Sequence, residues 1–377
     1  MSPQPLRILH IGAGERSQSL YFPVYRELER RGLLAVANVY TKDVARQSAV
    51  KALGWPPVAD WREPLQRGAV DAVVVVVPPE QIALVVESLL AYKHPILHET
   101  PLGRPVGKAT ALMKKIRASG VPVATAEHQL FYPIEQLKHR LITAGHLGEV
   151  RYAENHHHSY AYHGIAKLRR YLETAQLVAL RALKAPQPDA TSVGHTWFKF
   201  TQGKHAWMVY GAVSKQWPLL PPLRAMHVYG DRGLIAGSVV YLYETNERVR
   251  EYPLRVGQEH GELTHLEFSG SAGTLALWDN PYVGAGFSDD QIAMATLFEA
   301  FGKSVSGGDP LPYPAEEHYL DLLCTQAMEL SQHASGLRLR INPRQPWAGF
   351  GASLVIDASL RQCWLLKKWL LKKIISR

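Results

Sequence analysis

Gly12-Ala13-Gly14 stands between an apolar run at residues 8–11 and a segment that places Tyr21, Val24, Tyr25 and Leu28 at helical spacing before Gly32. Two glycines in that setting suit one task, the holding of a pyrophosphate. The first permits a tight turn and the second lets the anion approach the backbone. The helix that follows supplies N–H donors and the positive end of its dipole. Ser17 takes the third small position and still allows close helix–strand packing. Gly12, Ala13, Gly14, Arg16 and Ser17 are therefore candidate dinucleotide contacts, against the alternative of a plain strand–helix turn. The next extended run, residues 34–40, leads into Thr41-Lys42-Asp43. An acid at such a strand end bonds the ribose 2′-hydroxyl and repels a 2′-phosphate. By register Thr41 and Lys42 hold that position, with Arg46 a turn later, so NADP(H) is favoured over NAD(H). Asp43 comes slightly late for the acidic role, and a register shift of one residue reverses the preference.

A turn of this kind needs a parallel sheet to hold it. Residues 70–77 include five consecutive valines before Pro78-Pro79, the composition of a strand buried on both faces. A helix with Ile82, Val85, Val86, Leu89 and Leu90 follows, then a strand at 96–98, a helix at 108–119 and a strand at 121–125. Strands alternating with helices predict a parallel sheet covered on both sides. Past a helix at 133–144 the pattern changes to extended segments at 150–158, 191–200, 205–213, 225–229, 233–244 and 264–268. A helix is expected at 164–183, and two more at 290–304 and 315–334. The fold class is α/β: a Rossmann domain over residues 1–128, an α+β domain with a large, mostly antiparallel sheet over 129–345, and a basic tail over 346–377.

With the glycine turn, residues 73–79 and His98-Glu99-Thr100-Pro101-Leu102, the chain resembles the glucose–fructose oxidoreductase/inositol dehydrogenase (Gfo/Idh/MocA) family. The likeness continues at residues 142–150, at Tyr229-Gly230-Asp231-Arg232-Gly233-Leu234 and at Leu311-Pro312-Tyr313-Pro314-Ala315-Glu316. It implies an open-sheet second domain, a nicotinamide ring at the cleft between the domains, and hydride transfer, usually on sugars or cyclitols. Pro78 and Glu99, within the matching segments, join the candidate cofactor contacts.

The departures from that family bear on the substrate. Its usual Glu-Lys-Pro appears as Glu99-Thr100-Pro101, so the lysine that assists proton transfer is missing. The aspartate and histidine four residues apart on its second-domain helix are replaced by Lys167, Arg169, Arg170 and Tyr171. Oxidising an alcohol needs a base for the hydroxyl proton, and a threonine is not one. Biliverdin reductases, a branch of the same superfamily, also lack these groups. Ala126-Glu127-His128-Gln129, the Glu99 segment and Gly230-Asp231-Arg232-Gly233 are similar to the cyanobacterial form, although that branch usually has tyrosine at the place of Thr100. A reductase acting on a conjugated or imine-like small molecule, with a bilin as the most specific candidate, is the expected activity. The first alternative is a sugar or cyclitol dehydrogenase with other acid–base groups. The second is an NADP(H)-binding sensor or scaffold without turnover. The candidate catalytic residues are His128, Glu127, Thr100, Lys167, Arg170 and Tyr171. Each has a plainer reading: Glu127 and His128 as a structural pair, Lys167 and Arg170 as a solvated helix face, and Thr100 as a shaper of the turn.

Charge and composition exclude other classes. The net charge of +9 is concentrated in residues 361–377, which hold six cations and no acid; the other 360 residues carry about +3. No nucleic-acid role is expected from so mild a balance. The tail, with Trp364 and lysines at 367, 368, 372 and 373, either touches a membrane surface or docks on this chain or a second subunit; its lysines fall on several sides of a helix. A homo-oligomer and a small-molecule substrate are the expected partners. Only two cysteines, Cys324 and Cys363, and the lack of an apolar N-terminal segment place the chain in the cytoplasm. His156 and His158 share a strand face with Glu154 nearby, but no third ligand stands at matching spacing, so no metal is expected.

Overall fold

The computed structural model describes residues 4–157, 160–173, 175–186, 192–211, 226–245, 248–341 and 354–357. Strands β1 (Leu6–Ile11), β2 (Leu34–Tyr40), β3 (Pro57–Val58), β4 (Ala72–Val75), β5 (Ile96–His98) and β6 (Val123–Thr125) form one parallel sheet in the order 3-2-1-4-5-6. That is the doubly wound order, in which the chain reverses direction across the sheet beside β1, so the β1 turn lies at the switch point where such folds bind ligands. Helices α1 (Phe22–Arg30), α2 (Val44–Ala52), α3 (Arg62–Gln66), α4 (Pro79–Leu89) and α5 (Val106–Ser119) connect the strands. All four residues of β4 are buried, as the valine run requires of a central parallel strand.

The second sheet has twelve strands. They are β7 (Val150–His157), β8 (Leu177–Pro186), β9 (Ser192–Phe200), β10 (His205–Gly211), β11 (Met226–Gly230), β12 (Gly233–Ala236), β13 (Val239–Thr245), β14 (Arg248–Glu259), β15 (Glu262–Gly270), β16 (Gly273–Asp279), β17 (Arg338–Ile341) and β18 (Leu354–Asp357), in the order 16-15-14-13-12-11-7-10-9-8-17-18. Its β7–β10 pair is parallel and its other described pairings are antiparallel. Four further helices occur among the described residues: α6 (Pro133–Thr143), α7 (Ala161–Tyr171), α8 (Asp289–Gly307) and α9 (Ala315–His333).

The chain divides into two compact units. The first takes Met1–Glu135, Gln258–Thr264 and Asn280–Tyr319; the second takes Gln136–Gly257, His265–Asp279 and Leu320–Arg377. Helix α8 thus belongs with the parallel sheet, although the sequence grouped it with the later residues. Its anchor is an aromatic cluster: Phe298 lies edge-on to Tyr21 and Tyr25, at 5.9 and 5.1 Å, and Phe22 and Tyr25 in turn pack on Trp55.

Three local expectations change. The helix expected at 164–183 is α7 followed by a strand, because residues 177–186 pair with β9 and β17. Leu and Ala dominate β8, and sheet pairing overrides their helical preference. The single strand expected at 233–244 is the hairpin β12–β13, turned at Gly237 with φ +59°. Strands β14 and β16 were not foreseen; β14 is exposed along most of its length, with Tyr252 its one buried residue. His158, the strand ends expected at 191, 212–213 and 225, Cys363 and the basic tail lie outside the described residues.

Candidate active site at the glycine turn

Gly12 sits where no other residue fits. Its φ is +115°, and a Cβ there would lie 1.9 Å from the Val76 carbonyl oxygen. The crowding follows from the sheet: Gly12 N–H donates to Tyr40 O at 2.9 Å and Val76 N–H to Ile11 O at 2.8 Å, so β2 and β4 close on the end of β1. Gly14 is open, with only Arg46 Nη1 (3.8 Å) near the place of a Cβ. Ser17 is fully buried, its Oγ 3.1 Å from His10 Nε2, while His10 Nδ1 lies 2.8 Å from the Tyr25 hydroxyl. Burial lowers His10 to about 3, against a small opposing hydrogen bond at Gly12, so the ring is neutral.

The helix after the turn opens with a wide coil. Residues Ser17–Tyr21 form a π-turn in which Phe22 N–H bonds to the Ser17 carbonyl. Pro23 explains it: the residue brings no N–H, and the Ser19 carbonyl accepts instead from Gln291 Nε2 of α8 at 3.4 Å. A narrow glycine cradle, an open second glycine and a helix start fit a dinucleotide pyrophosphate. At the end of β2, Thr41 is buried and Lys42 exposed. Asp43 caps α2 through Ala45 N–H (3.0 Å) and Arg46 N–H (3.4 Å), and Arg46 Nε lies 3.2 Å from its other oxygen. Asp43 is thus occupied as a helix cap. Pro78 follows β4 in extended conformation as the N-cap of α4.

Arg16 reaches from the turn to β5, its Nε donating to Glu99 Oε1 at 2.8 Å, while Glu99 Oε2 accepts from Thr100 N–H at 2.9 Å. Burial alone would push Glu99 up; the Arg16 charge, then that of His128, and the Arg16 and Thr100 hydrogen bonds outweigh it and hold the carboxyl below its ordinary value. Beneath, His98 bonds the Glu99 carbonyl (2.7 Å) and the Thr125 hydroxyl (2.9 Å), and burial lowers it to about 4. Glu127 is fully buried.

His128, 5% exposed, places Nε2 3.0 Å from Asp290 Oδ1, and the Tyr132 hydroxyl donates to the same oxygen at 2.6 Å. His128 Nδ1 is buried without a hydrogen-bond partner among the described residues. The His128 hydrogen bond, with that of Tyr132 and against the cost of burial, holds Asp290 well below the usual carboxylate range. The Asp290 side chain is 51% exposed, and the Arg16 charge acts on it as well as on Glu99. The first unit therefore brings together Gly12, Ala13, Gly14, Arg16, Ser17, Glu99, Thr100 and His128, and adds Asp290 and Tyr132. Ser288-Asp289-Asp290-Gln291 reads locally as a capping box, which it also is. Nothing near Asp290 in the chain announces a histidine 162 positions away.

In the second unit, Lys167 and Tyr171 share a buried face of α7, and Arg170 is half-buried. Lys167 is thus no solvated cation. Arg169 donates to the fully buried Asp321 at 2.8 Å. Burial, then the Arg170 charge, lowers His139 of α6 to about 4. On β7, Glu154 accepts from the Tyr152 hydroxyl at 2.8 Å and lies 3.3 Å from His227 Nδ1, and no group of His, Cys, Asp and Glu suited to a metal occurs among the described residues.

Residues 6–127 match the model of the Gfo/Idh/MocA oxidoreductase family, described by its NAD-binding Rossmann fold. No curated protein matches the chain in sequence. Among solved structures, levoglucosan dehydrogenase in complex with NADH shares 15% identity over 90% of this chain and 100% of its own, with a TM-score of 0.67. An oxidoreductase from Agrobacterium radiobacter in complex with NAD+, L-tartaric acid and magnesium shares 15% over 87% and 96%, with a TM-score of 0.64. A protein from Desulfitobacterium hafniense described as an NADPH-dependent oxidoreductase shares 15% over 86% and 94%, with a TM-score of 0.65. At such identities the likeness speaks for the fold. Residues 6–127, which carry the glycine turn on a 3-2-1-4-5-6 sheet, are thus similar to the NAD-binding Rossmann domain of the Gfo/Idh/MocA oxidoreductase family.

Proposed function

We propose that this chain is an NADP(H)-dependent reductase of a small molecule carrying a conjugated or C=N bond, with a bilin as the most specific candidate. The observation that carries the cofactor reading is the end of β2: Thr41 and Lys42 follow the strand, and the one nearby acid, Asp43, caps α2. Without a free carboxylate there, a 2′-phosphate meets Lys42 and Arg46 rather than a like charge. Gly12, Ala13, Gly14 and Arg16 would hold the pyrophosphate side, and Pro78, Glu99 and Ser17 shape the walls. When bound, the reduced dinucleotide supplies a hydride equivalent. The chain's own part is to bind, to exclude water and to provide a proton, for which His128, Tyr171 and Lys167 are the candidates; Thr100 and Glu127 shape the surroundings and Arg170 supplies charge.

Support for an unsaturated substrate comes from the acid–base set. Thr100 stands where the family carries lysine, and Lys167 and Tyr171 are four apart on α7 in the region of its aspartate and histidine. In the first unit Asp290 is held too acidic to take a hydroxyl proton, and Glu99 is engaged by Arg16. The second reading, a sugar or cyclitol dehydrogenase, draws on the likeness to levoglucosan dehydrogenase.

A substrate panel separates the two. Loss of nicotinamide absorbance with biliverdin or cyclic imines, and none with sugars and inositols plus NADP+, is the expected outcome; turnover of the polyols alone reverses it. Binding without turnover across the panel marks a sensor. Replacing Thr41→Asp together with Lys42→Ala should swing the preference toward NADH by about tenfold or more, the equivalent of about 1.4 kcal/mol; an unchanged preference removes the selector assignment. Self-association into a homo-oligomer is part of the proposal, tested by light scattering of the purified chain.

A further inference from the structure

His128 is buried at one end of a short chain of polar groups that reaches the surface through Asp290. Asp290 Oδ1 takes two contacts at once, from His128 Nε2 at 3.0 Å and from the Tyr132 hydroxyl at 2.6 Å. A hydroxyl has one proton to give, so Tyr132 donates and Asp290 accepts. An acceptor oxygen so engaged requires a hydrogen on His128 Nε2 as well. Nδ1, at the other side of the ring, is buried and has no hydrogen-bond partner among the described residues. A hydrogen at Nδ1 of the neutral ring would be a buried donor without an acceptor, the less favourable of the two tautomers.

We propose that Asp290 is a positioning residue that holds His128 in its Nε2–H form and leaves Nδ1 as the atom at which His128 takes up or gives up a proton. The backbone that carries Asp290 is built for fixed placement. Ser288 and Gln291 close a capping box around the start of α8, and Phe298 seats the helix on Tyr21 and Tyr25. Asp290 meets the ring by hydrogen bond, and the charge of Arg16 acts on both Asp290 and Glu99. A proton arriving at Nδ1 makes an imidazolium in that field; its departure restores the neutral Nε2–H ring, and Asp290 stays ionised throughout. The partner of Nδ1 in that exchange is a group that arrives with a ligand. A merely structural Asp290 would do no more than favour the helix dipole from the first turn of α8, and would have no hold on the tautomer.

The catalytic meaning of the assignment rests on the reductase reading; its structural content does not. Nitrogen NMR of the full chain labelled with 15N-histidine reads the tautomer directly, with His128→Gln identifying the ring. Wild type and Tyr132→Phe should both show a protonated Nε2 and a bare Nδ1 in the neutral ring, because the bond to Asp290 survives in each. Asp290→Asn should move hydrogen to Nδ1 or mix the two forms. Where turnover is found, the same change should lower kcat by about tenfold or more with little change in KM for NADPH, the pattern of lost proton handling rather than lost binding. A wild-type ring protonated at Nδ1, or an Asp290→Asn spectrum superimposable on wild type, overturns the proposal. If Asp290→Asn does not fold, the wild-type and Tyr132→Phe spectra decide. Expected spectra from a chain that neither binds nor oxidises NADPH would remove the reductase reading and leave the tautomer assignment standing.

Discussion

At Gly12 three constraints meet: a backbone in the left-handed half of conformational space, a carbonyl where a Cβ would go, and hydrogen bonds from strands on both sides. Gly12→Ala should therefore cost about 3 kcal/mol or more, since the strain of φ adds to a steric overlap that neither strand can relieve cheaply. Urea unfolding measures it, and a loss below about 1 kcal/mol would mean that the turn gives way. Arg16 is the other sensitive position. Its loss leaves the buried Glu99 without its main counter-charge, but Arg16 is itself 44% exposed, so the expected destabilisation in Arg16→Ala is only about 1–2 kcal/mol. Replacing Glu99 by glutamine in the same chain should recover most of it. The buried histidines set the acid limb of stability. His98 is lowered to about 4 and His10 to about 3, both mainly by burial, against an unfolded value near 6.5. Between these values the unfolded chain binds protons that the folded chain refuses, so stability is full above about pH 6.5 and falls as pH drops toward 4. Asp290 and Glu27, both held low, extend the loss further down. His98→Asn should flatten the limb in urea midpoints taken between pH 4 and 7; an unchanged slope contradicts the assignment.

Helix α8 shows what an element contributes beyond its own sequence. It brings Asp290 to His128, Gln291 to the Ser19 carbonyl and Phe298 to the aromatic cluster beneath the glycine turn. Phe298→Ala should cost about 3–5 kcal/mol, because the ring is nearly fully buried against Tyr21 and Tyr25. It should also weaken dinucleotide binding at a site it does not touch; thermal unfolding and calorimetry on the variant check both. The parallel sheet was readable because its signals are local: a valine run, glycine stops and regular spacing. Glycine chemistry located the turn for the same reason. The second sheet was less readable. β8 is rich in Leu and Ala and becomes a strand only because β9 and β17 flank it, while β14 has hardly a buried face to betray it. The π-turn at Ser17–Tyr21 follows from Pro23, a signal present in the sequence but read only as part of a helix. Asp290 and Tyr132 were missed for a different reason. Their role is a contact with a ring far away in sequence, and pairing at that range leaves no periodicity.

Over the whole molecule most of the excess charge falls in residues 361–377. No helix among the described residues is long and apolar enough to cross a membrane. Deleting 361–377 should leave dinucleotide affinity unchanged and abolish any sedimentation with anionic liposomes; liposome binding that survives the deletion places the attraction elsewhere. The compact units are discontinuous, with residues 258–264 and 280–319 joining the first, so a protein cut at 128/129 separates His128 from Asp290 only by removing the helix that carries Asp290. Truncations meant to isolate the dinucleotide site should keep α8. The most direct test is calorimetric titration of the full chain with NADP+ and NAD+. Saturable binding at one site, tighter for NADP+ by about tenfold and absent in Gly12→Ala, is the predicted result. Failure of both dinucleotides to bind at millimolar concentration, or binding that Gly12→Ala leaves intact, would contradict it.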